Sequence, residues 1–462
     1  MKANNQNKKL VIIIAAIAST GGLLFGFDTG VISGAIPFLQ QDFGLKDSQI
    51  ENITAFGLIG AVLGALIGGR ISDILGRKKV IISAAIVFIT GALWSGISLN
   101  PTQLLISRFY IGIAIGISSF VVPLYIAEIS PTKMRGTLVF LFQFMITVGI
   151  LASYLSDSAF ANDTNYESWR PMFYIGVIPA SILLIGAFYL PETPRWLMKK
   201  GKEEESRKIL ETIEEKDQVE SIFKEMKDDI CKDSGKTSWK IIFKPWLKNS
   251  LIIAVGIMFF QQFVGINTVV YYSPKIFLKA GFEGNEAAIW ASVSVGIINV
   301  LFTVLSIYLV DKIGRRKLYF IGLSGIIISL ICMGLFIIPP DVHASNYKWF
   351  LVISMLSYVG FFTLSIGPLG WLLISEVFPL KVRGLGSSIG SLSNWGFNAL
   401  VVWSFFKLTR IIGDAEVFWL FALIGLFGLL WGYYYIPETK GVSLEEIEEH
   451  WRSGKSPKEL KK

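Results

Sequence analysis

Asp28 stands alone in an apolar run, Leu24-Phe25-Gly26-Phe27-Asp28-Thr29-Gly30. The run begins at Leu10, after Lys8 and Lys9, and continues to about Phe38. As a helix it is long enough to cross a hydrocarbon core of roughly 30 Å. At ~1.5 Å per residue, Asp28 lies ~15 Å inside Phe38. An ionised carboxylate at that depth costs at least ~2.5–3.5 kcal/mol, so it must face a cation or water. Such a group is either a structural ion pair or a switch, an acid that takes and releases a proton where charge is expensive. Arg108, in Ser107-Arg108-Phe109-Tyr110, is its natural partner. Another apolar run starts near Pro101, which puts Arg108 ~10 Å from that entry, a comparable depth. Protonating Asp28 would release Arg108. The alternative is an Arg108 that merely snorkels outward.

A second constellation is neutral. Gln261-Gln262 lies ~18–20 Å along the run that opens near Asn249, and Asn267 follows. Gly265, Asn267, Tyr271-Tyr272 and Pro274 mark that helix as broken, and freed backbone must line protein or a cavity. Gln143, and Asn394 with Trp395, add amides from other runs, and Trp371 follows a second expected break at Gly367-Pro368-Leu369-Gly370. Side-chain amides donate and accept at once, as neutral hydroxyl-rich ligands require. An aromatic ring beside them could stack on the apolar face of a sugar. Any single amide reads equally well as an interhelical hydrogen bond; amides from three helices and Trp371 from a fourth, at intermediate depth, point to a site.

Paired loops form a third group. Arg70, Asp73 and Arg77 follow one run, and Asp311, Arg315 and Arg316 follow another, with Gly76 and Gly314 allowing sharp turns. Glu128 with Arg135, and Glu376 with Arg383, belong to the same surface. Ion pairs between the two halves of the chain there would close one side while the other is open. Lys and Arg anchoring alone would not explain the repeated acids.

Enzymatic chemistry lacks its parts. There is no P-loop, no His-containing metal motif and no nucleophile elbow, and His343 and His450 lie outside the apolar runs. Cys231 and Cys332 make no disulfide framework. Gly112 and Gly116 follow no strand and read as close helix packing. A non-enzymatic chain without cofactor or metal is expected.

The elements that carry these residues are membrane spans. Of the 462 residues 52% are hydrophobic and 17% charged, and the mean hydropathy is +0.56; a soluble chain would carry nearer ~25% charge. Apolar blocks fall at about 10–38, 50–72, 80–99, 102–127, 137–157 and 171–190, then at about 249–279, 287–310, 318–339, 347–375, 384–407 and 416–436. The first could pass for a signal peptide but runs on too far, and is read as an uncleaved span. Arg70, Arg77, Lys78, Lys79, Lys133, Arg135, Lys312, Arg315, Arg316, Lys317, Lys381 and Arg383 fall in alternate loops, which places both termini and the 191–247 segment in the cytoplasm. The same bias accounts for the net charge of +8 without nucleic acid. Residues 199–236, rich in Glu and Lys, read as short amphipathic helices at the membrane face or as a loose linker.

The halves echo each other. Gly69–Lys78 recurs at Leu309–Lys317, Tyr125–Pro131 with Arg135-Gly136 at Leu373–Pro379 with Arg383-Gly384, and Pro191-Glu192-Thr193 at Pro437-Glu438-Thr439, each offset by about 240 residues. One duplication gives an all-α membrane protein with about twelve spans in two six-helix halves. The expected divisions are 1–190 and 248–437 for the halves, 191–247 for a helical cytoplasmic linker, and 438–462 for a tail. Such a repeat is transporter architecture, with ligand near the midplane.

These motifs resemble the sugar porter family of the major facilitator superfamily across essentially the whole chain. Pro191-Glu192-Thr193-Pro194-Arg195-Trp196 and Pro437-Glu438-Thr439-Lys440-Gly441 are the most specific marks, and Gln261-Gln262 with Asn267 resembles that family's sugar-binding pattern. The resemblance implies the major facilitator fold, with Gln143, Gln261, Gln262, Asn267, Trp371, Asn394 and Trp395 contacting a hexose or pentose and Phe25 beside them. It implies Asp28 as the proton-coupling acid of bacterial xylose and galactose symporters, paired with Arg108, where the facilitative animal glucose carriers have Asn. Glu128, Arg135, Glu376 and Arg383 match the family's cytoplasmic salt-bridge network, with Arg70, Asp73, Arg77, Asp311 and Arg315 beside it. Asn394 stands where the xylose symporter has Gln, leaving pentose and hexose both open. The expectation is a proton-coupled importer of glucose, xylose or galactose, acting as a monomer in a bilayer, in all expectation a bacterial inner membrane. A facilitative carrier with a structural Asp28, and a sugar sensor, are the alternatives.

Overall fold

Apolar length sets how far each helix runs, and charge and glycine set where it stops. The computed structural model describes residues 2–131, 134–214, 216–232, 239–337, 347–379, 382–442 and 444–460. Lys133, Lys381, His343 and the side chain of Cys231 fall outside the described residues. The first set of helices is α1 (Lys2–Phe43), α2 (Asp47–Leu75), α3 (Arg77–Gly96), α4 (Pro101–Ile129) and α5 (Arg135–Phe160), then α6 (Trp169–Ile175) and α7 (Val177–Tyr189), which together make one span. The starts are chemically marked. Asn100 caps α4 by accepting from Gln103 N at 3.0 Å, with Pro101 in the first helical position.

The polar segment forms α8 (Pro194–Lys199), α9 (Glu203–Ile213) and α10 (Lys216–Lys232). Leu210 and Ile213 of α9 are buried while its Glu203, Glu204 and Glu205 lie in the first turn, so amphipathic helices, not a loose linker, fill this stretch.

The second set is α11 (Lys248–Phe263) and α12 (Ile266–Lys279), α13 (Asn285–Ile313), α14 (Arg315–Phe336), α15 (Tyr347–Leu364) and α16 (Ile366–Val377), α17 (Arg383–Ile412) and α18 (Asp414–Tyr435); α19 (Leu444–Arg452) follows. Gly265, in the left-handed region at φ +89°, separates α11 from α12, and Tyr272 is non-helical inside α12, so the break expected there exists. The other break lies slightly earlier than expected. Ser365, at φ −126° and ψ −97°, divides α15 from α16, and Gly367–Gly370 belongs to α16's first turns. Pro at the third position of a new helix costs no hydrogen bond, which is why Pro368 follows the break and does not make it.

Among the described residues eleven helical spans are long and apolar enough to cross a membrane. The twelfth expected span, α17, has the length at 30 residues but is diluted by Ser387, Ser388, Ser391, Ser393, Asn394 and Asn398. An inner helix facing polar neighbours has no need of uniform apolarity. Ile86, Leu93, Ile182, Ile328, Phe427 and Leu430 stay exposed on outer faces, where lipid would cover them.

Glycines set the closest approaches. A Cβ on Gly112 or Gly116 of α4 would collide with the backbone of Gly57 or Ala61 on α2, as their spacing implied. The two sets meet where α2 packs on α17, α5 on α13 and α1 on α12.

Candidate functional site

Asp28 and Arg108 meet inside the first set. Arg108 Nη2 donates to Asp28 Oδ2 at 2.9 Å and Nη1 to Oδ1, a two-pronged pair with 3% of the Arg108 and 10% of the Asp28 side chain exposed. Gly57 of α2 lies against the Arg108 guanidinium, where a side chain would crowd it. The guanidinium also stands 5.9 Å from the Phe173 ring centroid. Arg108 therefore faces Asp28 and does not snorkel outward.

A small recess opens from this pair. Phe25, Thr29, Thr54, Tyr271 and Trp395 line it together with Asp28 and Arg108, so α12 and α17 of the second set contribute. Phe25 and Trp395 rings are 5.0 Å apart, and Trp395 Nε1 donates to Ser119 Oγ of α4 at 3.2 Å.

On the other side of Trp395 the amides are chained. Asn267 Nδ2 donates to Gln262 Oε1 at 2.7 Å, Gln262 Nε2 to Gln261 Oε1 at 3.2 Å, and Asn394 Nδ2 to the same Gln261 oxygen at 2.6 Å. Gln261 Nε2 in turn donates to the carbonyls of Ile366 and Gly367, at 3.0 and 2.7 Å. The break at Ser365 starts α16 afresh, and its first residues lend Gln261 these acceptors. Gln143 on α5 is half-buried and Trp371 on α16 half-buried; neither joins the chain, and Gln143 has no hydrogen-bond partner among the described residues. Broken helices thus supply the fixed hydrogen-bonding surface, and half-buried groups remain to meet a ligand.

The loop residues form two matching hubs. In the first, Arg77 donates to Glu128 through Nε and Nη2 at 2.9 and 3.1 Å and to Asp73 at 3.1 Å, while Thr193 Oγ1 donates to Glu128 at 2.7 Å. In the second, Arg315 Nη2 donates to Glu376 at 2.9 Å, Arg315 Nη1 to Asp311 at 3.0 Å, and Thr439 Oγ1 to Glu376 at 2.5 Å. Glu192 accepts from the backbone N–H of Arg77 and Lys78 at 3.0 and 3.2 Å, and Glu438 from those of Arg315 and Arg316 at 3.0 and 3.2 Å. Each acid caps a helix start, where an anion is favoured. Burial nevertheless pushes the Glu192 carboxyl above its ordinary value. Gly76 and Gly314 make these turns at φ +95° and +94°.

The expected ion pairs across the basic end belong to a state whose acidic end is open, and here the acidic end is joined. Both hubs close within their own set of helices, and no ion pair between the two sets occurs at this basic end among the described residues. Arg70 and Arg135 are exposed and form no ion pair among the described residues, while Arg383 is half-buried. In this conformation Arg77 and Arg315 are each held by acids on helices of their own set. Cross-set bonds gather at the opposite, acidic end. Lys275 Nζ bonds Asp47 at 2.5 Å, Lys407 N donates to Glu51 at 2.9 Å, and Trp403 Nε1 to Asn52 at 3.1 Å. Sequence reasoning missed Ser119, Tyr271, Glu51 and the capping acids. The repeated Pro-Glu-Thr beside each Gly-Arg turn was the available signal for the last of these.

The chain was compared with known proteins. A family model described as "Sugar (and other) transporter" matches residues 14–451. The glucose transporter GlcP of Staphylococcus epidermidis is 40% identical over 97% of both chains. The galactose-proton symporter of Escherichia coli is 35% identical over 99% of this chain and 98% of its own. Among solved structures, the inward-open xylose transporter XylE from Escherichia coli matches with a TM-score of 0.80 and 32% identity, over 96% of this chain and 100% of that one.

Proposed function

Because the chain belongs to the sugar (and other) transporter family, we propose that it couples monosaccharide import to protons by alternating access, with Asp28 as the proton carrier. It is a multi-pass membrane protein of the major facilitator fold, and its relatives by name carry glucose, galactose and xylose. The observation that carries the coupling is the buried, doubly bonded Asp28–Arg108 pair, which shares its recess with Trp395 of the sugar-facing helix. An acid placed there cannot change charge without disturbing Arg108, Phe25 and Trp395 together.

Protonation from outside frees Arg108, relaxes the recess and lets a hexose or pentose bind. Gln143, Gln261, Gln262, Asn267 and Asn394 present hydrogen-bonding groups, and Trp371 and Trp395 present ring faces. The two sets then rock about the site. Bonds at the acidic end, joined by Lys275–Asp47, seal the outer face in the conformation described above; both termini lie inside. Sugar leaves, Asp28 deprotonates and the pair with Arg108 re-forms. In the outward-open state Glu128, Glu376, Arg135 and Arg383 exchange partners across the inner face.

The test is proton movement in sealed liposomes with a trapped pH dye. Sugar-driven acidification in the parent protein, absent in Asp28→Asn while labelled-sugar counterflow survives, is the expected result. Sugar entry without a proton signal would instead establish a facilitative carrier in which the pair is structural.

A further inference from the structure

A second carboxyl is buried in the seam between the two sets, and the ion-pair mechanism does not use it. Asp157 lies in the last turn of α5 with no exposed surface. Neither of its carboxyl oxygens has a hydrogen-bond partner among the described residues. Gly34 on α1 faces it so closely that even one added methyl would strike the carboxyl. Gly34 is six residues from Asp28 on the same helix.

Among the described residues the surroundings hold no free cation. The charged groups at this end of the elements packed against α5 are Asp28 and Asp42 on α1, Arg108 on α4, Arg170 on α6 and Glu286 on α13. Asp28 and Arg108 hold each other, Asp42 accepts from Trp169, Arg170 bonds Glu167 and two carbonyls, and Glu286 accepts from Asp163 N. Lys275 on α12 is taken by Asp47. Tyr154 on α5 donates its proton to Val270 O at 2.8 Å, so that phenol is committed as well. Tyr271 on α12 lines the Asp28 recess.

Two effects oppose a negative charge on Asp157 at once, complete burial and the negative end of the α5 dipole, three residues from the helix end; the Gly34 backbone N–H works partly against them. The place is the seam itself. Tyr154, three residues earlier, bonds α12, and Ser33 beside Gly34 meets Ser273 of α12 at 3.4 Å. When the seam parts, water reaches this turn and these penalties fall.

We propose that Asp157 is a second proton-binding site, protonated while the outer seam is closed and released to water when it opens. Acid then favours the outward-closed state independently of Asp28, and the proton is exchanged with the external side in each cycle of opening.

Two measurements on the full-length reconstituted protein test this. The first is an infrared pH titration of the carbonyl stretch of a protonated acid lacking a hydrogen bond. The band is expected at neutral pH in the parent and in Asp28→Asn, and absent in Asp157→Asn. The second follows the distance between spin labels on Leu99→Cys and Ile411→Cys, both exposed, in a background without Cys231 and Cys332. From about pH 6 to about pH 9 the closed-to-open ratio should fall by up to ~10-fold per pH unit, the limit for one linked proton. It should fall in the parent and in Asp28→Asn, fall less steeply in Asp157→Asn, and stay flat when Asp157→Asn is added to Asp28→Asn. Asp157→Ser replaces Asp157→Asn if the latter does not fold. A band that survives loss of Asp157, or a pH response equal with and without it, overturns the proposal. Because Asp28→Asn is expected to keep both signals, failure of the Asp28 mechanism is read separately.

Discussion

Asn394 and Gln262 both donate to one oxygen, Gln261 Oε1, at 2.6 and 3.2 Å, while Gln261 Nε2 is spent on the carbonyls of Ile366 and Gly367. Gln261 is thus the hub that ties α11, α16 and α17 together. Gln261→Glu turns its two-carbonyl donor into an acceptor facing acceptors. An unpaired buried polar group costs ~1–3 kcal/mol, so sugar affinity should fall ~10–100-fold. Gln262→Ala, which removes a peripheral donor, should cost less. Equilibrium binding or counterflow half-saturation, compared between the two variants, checks this ordering.

Arg108 is 2% exposed, so removing it strands a buried carboxylate. Arg108→Leu should lower stability by ~3–5 kcal/mol, the cost of breaking a buried pair from one side. Adding Asp28→Asn to Arg108→Leu should recover much of that loss, because a neutral pair can be packed without a counter-charge. Thermal unfolding of the detergent-solubilised single and double variants supplies the cycle. Additive losses would mean that the two side chains are not coupled.

The pairing of Asp28 with Arg108 was legible in the sequence because charge at membrane depth must be answered and the two depths agree. The break at Gly265 was legible for a similar reason, since glycine takes the left-handed region without penalty. The second break was legible from Gly367-Pro368-Leu369-Gly370 but its position at Ser365 was not, because nothing in serine demands those backbone angles. Asp73, Glu128, Asp311 and Glu376 were recognisable as a repeated set, but which arginine each would take depends on how helices sit side by side. The amide residues were visible as types at suitable depths. Their order in the chain, with Gln261 at its centre, depends on carbonyls released at a break that the sequence marks only to within a few residues.

Lys275 and Asp47 join the two sets across the acidic end, with 15% and 42% of their side chains exposed. Partial solvation limits such a pair to ~0.5–1 kcal/mol. Lys275→Met should therefore shift the balance toward the open outer seam only ~2–5-fold, and high salt should produce part of the same shift in the parent. Spin-label distances across the outer seam measure both effects. A larger change would show that Lys275 also acts through the Phe406 ring, whose centroid lies 4.3 Å away.

Glu192 and Glu438 occupy equivalent places, each accepting two backbone N–H groups at the start of α3 or α14. Neither touches the amide chain or the Asp28 recess, so their loss should act through the hubs. Glu192→Ala frees the N–H of Arg77 and Lys78 and removes an anion from a helix start, together ~1–2 kcal/mol. Thr193, which orients Glu128, loses its neighbouring cap as well. Glu438→Ala should have the matching effect on the second set. The expected outcome is lowered thermal stability and slower transport with sugar affinity within about twofold of the parent, since the binding groups lie elsewhere. Glu192→Gln keeps one acceptor oxygen and should recover about half of the lost stability. If either alanine variant instead weakened sugar binding ~10-fold with stability intact, the hubs would have to communicate with Gln261 through α16, the helix that carries both Glu376 and the Gly367 carbonyl.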